Sequence, residues 1–339
     1  MPPSPLRRLF PRRLPAGWEA RDLAPVVSLV VLTVFFSCAA DGFLRLGTIT
    51  NVLKEGSFRG IVAVGLTFVL LCGEIDLAVG KIAVWGGCFA GWLFQKWGVS
   101  GDPAVFLDAR VAAVVLLALA SCLALGLLSG TLTVWTRLPS FIISLAMMYI
   151  AEGAAQYLTR GSIQPMPAAM KVLGNHGIPL GRGLELPYVA LLAAAVFLLG
   201  HFVLRYTRFG RYVYATGGNR QAAHLNGIRT GRIVLACMAI SAVSAGMAGM
   251  LTAGDLSNAS LDQNADLLLS AVACVVLGGT SLFGGEGGMG KTAVGVLTYT
   301  VLHIGLNQIS WIDNFARTLL MGAVLMTALV INGLLAKKR

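Results

Sequence analysis

Residues Thr207–Gly231 of the chain are TRFGRYVYATGGNRQAAHLNGIRTG. This stretch is the longest polar, basic interruption in an otherwise mostly apolar sequence. Gly217-Gly218 breaks the backbone, Asn219 is a favourable N-cap, and Gly227 stands where a glycine ends many helices. The pattern predicts a short helix with little apolar surface of its own, which a neighbour or a partner protein must hold. The segment is either a solvated basic loop or a docking element for a cytoplasmic protein.

The composition indicates a polytopic membrane protein. The chain has 339 residues, of which 56% are hydrophobic and 12% charged, with a mean hydropathy of +0.77, whereas soluble domains carry about 25% charged residues. The net charge of +11 would suit a nucleic-acid partner, but Lys and Arg cluster at the ends of apolar runs, as topology determinants do. We therefore expect no nucleic-acid partner. The six Cys stand singly, without metal-ligand or disulfide-framework spacing, so we expect no metal site.

The apolar runs predict an all-α protein with about ten transmembrane helices. Because the bilayer core has no water to satisfy backbone groups, each run should be helical. Several runs are shorter than the roughly 20 residues of a straight span, and the closest pairs are separated by Gly-rich breaks. The ten runs are 24–40, 60–72, 77–94, 111–134, 139–157, 187–204, 232–253, 267–283, 289–306 and 317–335.

The distribution of Lys and Arg predicts the orientation. With ten spans, the excess of positive charge falls inside when both termini and loop 205–232 are cytoplasmic. We therefore expect a cytoplasmic tail over residues 1–23 and a single transmembrane domain over 24–336. Loop 158–186 is then the longest external loop. A basic segment followed by a short apolar run also fits a cleaved signal peptide, which is the alternative to a first transmembrane helix at 24–40.

The first motif with chemical potential is Gly73–Gly80, GEIDLAVG, between two apolar runs. Carboxylates near hydrocarbon are costly, so Glu74 and Asp76 indicate a functional role, such as a structural or gating site near a pathway, a proton relay or an ion site. The alternative is a simple turn, in which Asp76 caps the following helix and Glu74 faces water.

The second motif is the glycine-rich stretch from Gly278 to Thr292. Gly285–Thr292 fits G-x-x-x-x-G-K-[ST], the phosphate-binding loop. That loop requires a preceding strand and an acidic magnesium partner in a soluble α/β core, and apolar spans flank this one. We therefore interpret it as a break that lets helices turn and approach closely. Paired Gly-interrupted segments in one transporter chain usually mark the transport pathway.

No catalytic constellation is visible in the sequence. The four His residues (176, 201, 224 and 303) are scattered, and no nucleophile–base pair or metal spacing can be assigned. We expect a translocation subunit and not an enzyme.

Three stretches together resemble the permease subunits of bacterial sugar ABC importers, the ribose/xylose/galactoside group of the binding-protein-dependent transport permeases. That family shows G-[GE]-I-D-L-S-V-G, then T-x-x-G-R-x-x-Y-A-x-G-G-N-x-x-A-A-x-x-x-G-I, then G-G-T-S-L-x-G-G-x-G. The chain matches these at Gly73–Gly80, Thr207–Ile228 and Gly278–Gly287, with a weaker match at Pro139–Ile142. Order and spacing agree over residues 41–335.

The resemblance implies a permease that pairs with a second copy, most simply as a homodimer, within membrane lipid. Two cytoplasmic ABC ATPase subunits would bind below it and a periplasmic sugar-binding protein above it. ATP and magnesium would be bound by the ATPase, so no cofactor is expected on this chain. Segment Asn219–Gly227 would rest in a groove of the ATPase. The residues assigned to coupling are Arg208, Gly210, Arg211, Gly217, Gly218, Asn219, Ala222, Ala223, His224 and Gly227.

The resemblance places the motifs near a sugar pathway in the inner membrane. Glu74, where many members have Gly, is more similar to the xylose-type branch of the family. Ala78 and Lys291 depart from the family pattern, which usually has Ser and Gly there. Because sugars are neutral, hydrogen-bonding and aromatic groups are the expected contacts; Trp311 is one further candidate. The residues assigned to the pathway or its gate are Glu74, Asp76, Phe141, Thr280, Ser281 and Asn307.

Three alternatives stay open at this stage. A nucleoside or autoinducer ABC permease would share the architecture. An ion-coupled secondary transporter would use Glu74 and Asp76 and need no ATPase. A membrane scaffold or receptor would move no solute.

Overall fold

The computed structural model describes residues 20–40, 42–99, 109–181, 183–309 and 312–336, and this part of the chain is predominantly helical. Apolar runs become helices because helices satisfy their own backbone groups. The helices are α1 (Ala20–Ala39), α2 (Leu46–Leu71), α3 (Val79–Lys96), α4 (Ala109–Thr136), α5 (Ser140–Thr159), α6 (Ala168–Asn175), α7 (Tyr188–Tyr206), α8 (Arg208–Gly218), α9 (Arg220–Leu225), α10 (Thr230–Asp255), α11 (Leu267–Leu277), α12 (Met289–Gln308) and α13 (Asn314–Ala336).

Within the described residues, two small antiparallel sheets lie in the connections. The four strands are β1 (Gln164–Pro165), β2 (Gly177–Gly181), β3 (Leu184–Pro187) and β4 (Asn258–Ala259). Strand β1 pairs with β4, which joins the α5–α6 connection to the chain that follows α10. Strands β2 and β3 form a hairpin before α7. Predicted loop 158–186 is therefore a folded segment.

Helix α10 forms the centre of the bundle and packs on α2, α3 and α4. Of its most apolar 18-residue window, 67% is buried, against 28% for α4 and 22% for α5 and α7. Small side chains allow this close packing, because Gly and Ala let helix backbones approach. A Cβ on Gly249 of α10 would overlap the carbonyl oxygen of Ala83 in α3, and one on Gly86 would lie 2.9 Å from the Gly246 Cα.

Four described helices are long and apolar enough to cross a membrane: α4, α5, α7 and α10. The chain is thus a largely helical protein with clear membrane-spanning segments. Each of the ten predicted apolar runs overlaps one helix.

The bounds of two predicted runs are wrong. Run 60–72 is the second half of α2, which begins at Leu46. Hydropathy does not detect the first half of α2 because that half carries charged residues. Arg59 pairs with Glu55 at 2.9 Å, and Lys54 pairs with Asp255. Run 267–283 stops as a helix at Leu277, because glycines follow.

Helices α2 and α11 end in the same way. Gly73 (φ +79°) and Gly279 (φ +88°) take the left-handed conformation that glycine adopts without steric cost. In each case the glycine N–H and the next N–H bond back to carbonyls of the last turn, a Schellman motif. The two predicted glycine breaks are therefore matching helix ends, each followed by a non-helical segment and a new helix.

The connections divide between two ends of the bundle. We call the end with α8 and α9 the basic end. At the opposite end, Lys54 Nζ lies 2.7 Å from Asn175 Oδ1, and Thr50 Oγ1 donates to the Glu185 carbonyl at 3.0 Å. Segment 158–186 therefore lies at the opposite end from loop 205–232.

The tight α3–α10 contact predicts a difference between two glycine-to-alanine changes. Gly249→Ala should overpack this contact, at a cost of about 1–3 kcal/mol. Gly153→Ala in α5 has nothing within 4 Å and is the matched control. We expect Gly249→Ala to lower the thermal unfolding midpoint in detergent by about 2 °C or more, and Gly153→Ala to leave it within error or raise it. Equal midpoints would contradict the packing.

Candidate functional site

The three motifs singled out in the sequence meet at the basic end. The Gly285 N–H donates to the Leu71 carbonyl at 3.0 Å. A Cβ on Gly217 would overlap that same carbonyl oxygen, and a Cβ on Gly284 would lie 2.9 Å from the Gly73 Cα. We call Gly73, Gly217, Gly284 and Gly285 the glycine junction. Backbone touches backbone there, so the end of α2, the end of α8 and the α11–α12 connection are held together directly.

Local capping explains why the basic loop folds into two helices. Thr207 Oγ1 accepts the Gly210 N–H at 3.2 Å and starts α8. Asn219 Oδ1 accepts the Ala222 N–H at 2.9 Å and starts α9. Gly227 has φ +81° and ends α9 with the same Schellman bonds. These contacts confirm the predicted cap and terminal glycine. The sequence pattern does not predict α8, because it indicates a break at Gly217-Gly218 before the first helix of the loop, whereas this pair ends α8.

Glu74 pairs with Arg220, the first residue of α9. Arg220 Nη1 lies 2.6 Å from Glu74 Oε1, with the Glu74 side chain only 9% exposed and that of Arg220 50% exposed. A carboxylate taken out of water needs a partner, and a guanidinium supplies charge and donors together. The ion pair therefore ties α9 to the segment after α2. The water-facing alternative for Glu74 is wrong.

Asp76 is buried, and its carboxylate has two hydrogen-bond partners. Its Oδ2 accepts from Ser241 Oγ at 2.8 Å and its Oδ1 from the Ala78 N–H at 3.0 Å. Ser140 Oγ accepts from the Ile75 N–H at 2.9 Å, and Ser144 Oγ from the Leu77 N–H at 3.0 Å. Hydroxyls thus take the place of helical partners for the non-helical segment 74–78, which orphaned polar groups would otherwise destabilise.

The α11–α12 connection is fixed by its own turn and by α8. Thr280 Oγ1 accepts from the Gly288 N–H at 3.4 Å, and Ser281 Oγ from the Phe283 N–H at 3.1 Å. The Tyr214 hydroxyl of α8 donates to the Gly287 carbonyl at 3.0 Å. Burial raises the pKa of Tyr214 above its usual value, so this group stays protonated and able to donate at neutral pH.

The residues assigned to coupling lie on α8, α9 and their ends. Arg208, Arg211, Ala222 and His224 are exposed, while Gly210 and Ala223 are buried against the bundle. The two short helices therefore have one face fixed and one face available to a partner.

The structure does not bring all the pathway candidates together. Glu74 and Asp76 lie at the basic end, where Phe141 is 46% exposed in the first turn of α5. Thr280 and Ser281 form the nearby turn. Asn307 lies eighteen residues beyond Met289 along α12, about 27 Å at the helical rise, and its amide is 3.3 Å from His303. Trp311 lies outside the described residues.

The match to a phosphate-binding loop has no matching context. Helix α11 precedes it, not a strand, and residues 284–288 form a glycine turn packed on α2 and α8. The described residues contain no group of three His, Cys, Asp or Glu arranged to hold a metal. The arrangement links the end of α8 directly to the α2–α3 and α11–α12 connections.

Sequence reasoning missed five contributors: Ser140, Ser144, Tyr214, Arg220 and Ser241. Pro139–Ile142 and the tyrosine of the second signature were noted, and these were the available signals for Ser140 and Tyr214. Nothing in the spacing of Arg220 or Ser241 from residues 74–76 indicates contact, because more than 140 residues intervene.

Comparison with known proteins gives one family. The family model described as branched-chain amino acid transport system / permease component matches residues 48–329. The ribose import permease protein RbsC of Escherichia coli (strain K12) is 31% identical over 91% of this chain and 92% of its own length. RbsC of Bacillus subtilis (strain 168) is 32% identical over 92% of each chain.

A xylose relative is slightly more distant. The xylose transport system permease protein XylH of Haemophilus influenzae is 28% identical over 91% of this chain and 94% of its own length. No solved structure matches the chain significantly.

The different burial of Glu74 and Arg220 predicts that removing either charge will destabilise α9 to a different extent. Arg220→Gln leaves a buried carboxylate unpaired, whereas Glu74→Gln leaves a half-exposed guanidinium that water can solvate. We expect Arg220→Gln to speed amide hydrogen exchange over Ala222–Asn226 roughly tenfold, and Glu74→Gln to speed it less. Arg208→Gln removes the same charge from the same loop and serves as the control, with exchange unchanged. Equal exchange in all three variants would show that the ion pair does not hold α9.

Proposed function

The chain belongs to the branched-chain amino acid transport system permease family, and from that premise we propose that it is the permease subunit of an ATP-driven sugar importer. The substrate is a pentose or another monosaccharide, since relatives covering nine-tenths of the chain are a ribose import permease and a xylose transport permease. The chain is a translocation subunit without a catalytic centre of its own. ATP and magnesium are bound by a separate ATPase subunit.

The single observation that carries the mechanism is the glycine junction. It connects the end of α8, which α9 follows directly in the chain, to the two non-helical breaks, 73–78 and 279–288. When ATPase subunits close, a force on α8 passes to these breaks through backbone contact, and a force on α9 passes to the first break through the Glu74–Arg220 ion pair. Segments that switch between two packings make such transmission possible. The breaks then reorient α3 and α12, the helices that follow them, and open the pathway to alternate sides.

The proposed topology has ten spans with both termini cytoplasmic. One domain covers residues 24–336, with a cytoplasmic tail over 1–23. The positive-inside distribution supports this orientation, as does the placement of 205–232 and 158–186 at opposite ends. Permease, lipid and partners would form a complex in the inner membrane, with two permease copies as a homodimer.

The partners occupy opposite ends in this proposal. The ATPase binds α8 and α9. The sugar-binding protein binds the end with the β2–β3 hairpin, where Ile178 is 41% and Leu180 59% exposed. An exposed apolar hairpin tip suits a protein contact better than water.

Glu74 and Asp76 have a gating and structural role here. Both are buried and both have hydrogen-bond partners, so they fix the break after α2 and do not face a neutral sugar. Phe141, Thr280, Ser281 and Asn307 remain pathway proposals, and Phe141 is the most exposed of the first three.

The test is reconstitution after co-purification from the native membrane, with partners identified by mass. An ATPase and a solute-binding protein should accompany the chain. Proteoliposomes containing all three should then take up labelled ribose or xylose only with ATP. Uptake driven by a proton or sodium gradient without ATP would overturn the proposal in favour of a secondary carrier. Uptake of nucleosides but not sugars would overturn the substrate class.

Adjacent glycines give a matched pair for the coupling mechanism. Gly217→Ala drives a methyl group into the Leu71 carbonyl, whereas Gly218→Ala meets nothing within 4 Å. We expect Gly217→Ala to lower the sugar moved per ATP hydrolysed by at least about tenfold, since a displacement near 1 Å has large effects on positioning. Gly218→Ala should retain wild-type coupling. The measurement is uptake and phosphate release in the same proteoliposomes, and equal ratios would contradict the mechanism.

A further inference from the structure

A groove of about 950 Å³ lies at the basic end, between the end of α4, helix α9 and the start of α10. It is separate from the glycine junction. Its walls come from 131–138 on one side and 229–235 on the other, with Arg220 and His224 at the rim. The start of α10 is pressed against α4, since a Cβ on Gly231 would lie 2.7 Å from a Val134 methyl group.

Positive charge in the groove is not balanced by acidic residues. Arg137, Arg229 and Arg232 line it together with Arg220, and no described lining residue is acidic. Of these four, only Arg220 has an ion-pair partner within the described chain, namely Glu74. Clustered like charges without counterions raise the local affinity for an anion. The N-terminus of α10 faces the same space and adds a favourable dipole.

The other part of the groove is apolar and open to the side. Val134, Leu138 and Leu235 line it, and Leu138 is 47% exposed. Trp135 is 79% exposed at the end of α4, where tryptophans of membrane helices sit at the headgroup level. Acyl chains can pack against this apolar wall, whereas a small soluble anion gains nothing from it.

We propose that this groove binds an anionic phospholipid, with the headgroup phosphate between Arg137, Arg229 and Arg232 and the acyl chains along Val134 and Leu235. Basic pockets between helices at a cytoplasmic membrane surface suit such headgroups. Arg220 and His224 of α9 form the rim, so the bound headgroup lies beside α9. The inference does not depend on the identity of the transported solute.

The experiment measures lipid binding to the delipidated full chain by native mass spectrometry. The probes are phosphatidylglycerol, phosphatidylcholine and inorganic phosphate. We expect phosphatidylglycerol to bind at least about tenfold more tightly than phosphatidylcholine, and Arg137→Gln/Arg232→Gln to remove most of that preference. Arg205→Gln/Arg208→Gln removes two charges from the same end outside the groove and should keep it.

A second variant tests the groove without removing a positive charge. Leu138→Glu places a repelling carboxylate on an exposed wall residue, and it should weaken phosphatidylglycerol binding while leaving the unfolding midpoint unchanged. Equal loss in both arginine doubles would show general attraction to the surface and overturn the site. Competition by millimolar inorganic phosphate would show a small-anion site and overturn the lipid. Lipid binding is measured without transport, so failure of the sugar-uptake test would overturn the proposed substrate and not the lipid site.

Discussion

Direct backbone contact at the glycine junction is the constraint that fixes the arrangement of the basic end. The carbonyl of Leu71 accepts the Gly285 N–H, and Gly217 fills the remaining space beside it. A single methyl group at Gly217 would separate α8 from α2. Contact of this kind is stiff, because little can rotate or reorganise to absorb a displacement. It makes the basic loop part of the membrane bundle.

Polar groups near the junction are satisfied by residues distant in sequence. Two backbone N–H groups of the non-helical segment 74–78 donate to the hydroxyls of Ser140 and Ser144, and the Ser241 hydroxyl donates to the Asp76 carboxylate. The Arg220 guanidinium neutralises Glu74. Since a buried polar group without a hydrogen-bond partner costs several kcal/mol, the non-helical segment is stable only while α5, α9 and α10 keep their places. Movement of α9 is thereby linked to the conformation of the break.

The basic end combines two environments around α9. Arg220 fixes this short helix to the break after α2. Arg220 and His224 also lie at the rim of the groove between α4 and α10. Its other exposed residues are available to a partner. A helix of six residues has little intrinsic stability, so its position reports the balance of these contacts. This property suits the proposed role of α9 as the coupling element between the ATPase and the permease.

Composition, hydropathy and short motifs were sufficient to predict the class of protein, the ten helix-forming apolar runs, the caps at Asn219 and Gly227, and the family. These are local or compositional properties. The start of α2 at Leu46, the end of α8 at the glycine pair and the meeting of the three motifs became visible only from the three-dimensional contacts. Those features depend on contacts such as Lys54 with Asp255, whose partners are distant in sequence, and local pattern does not encode distance in space.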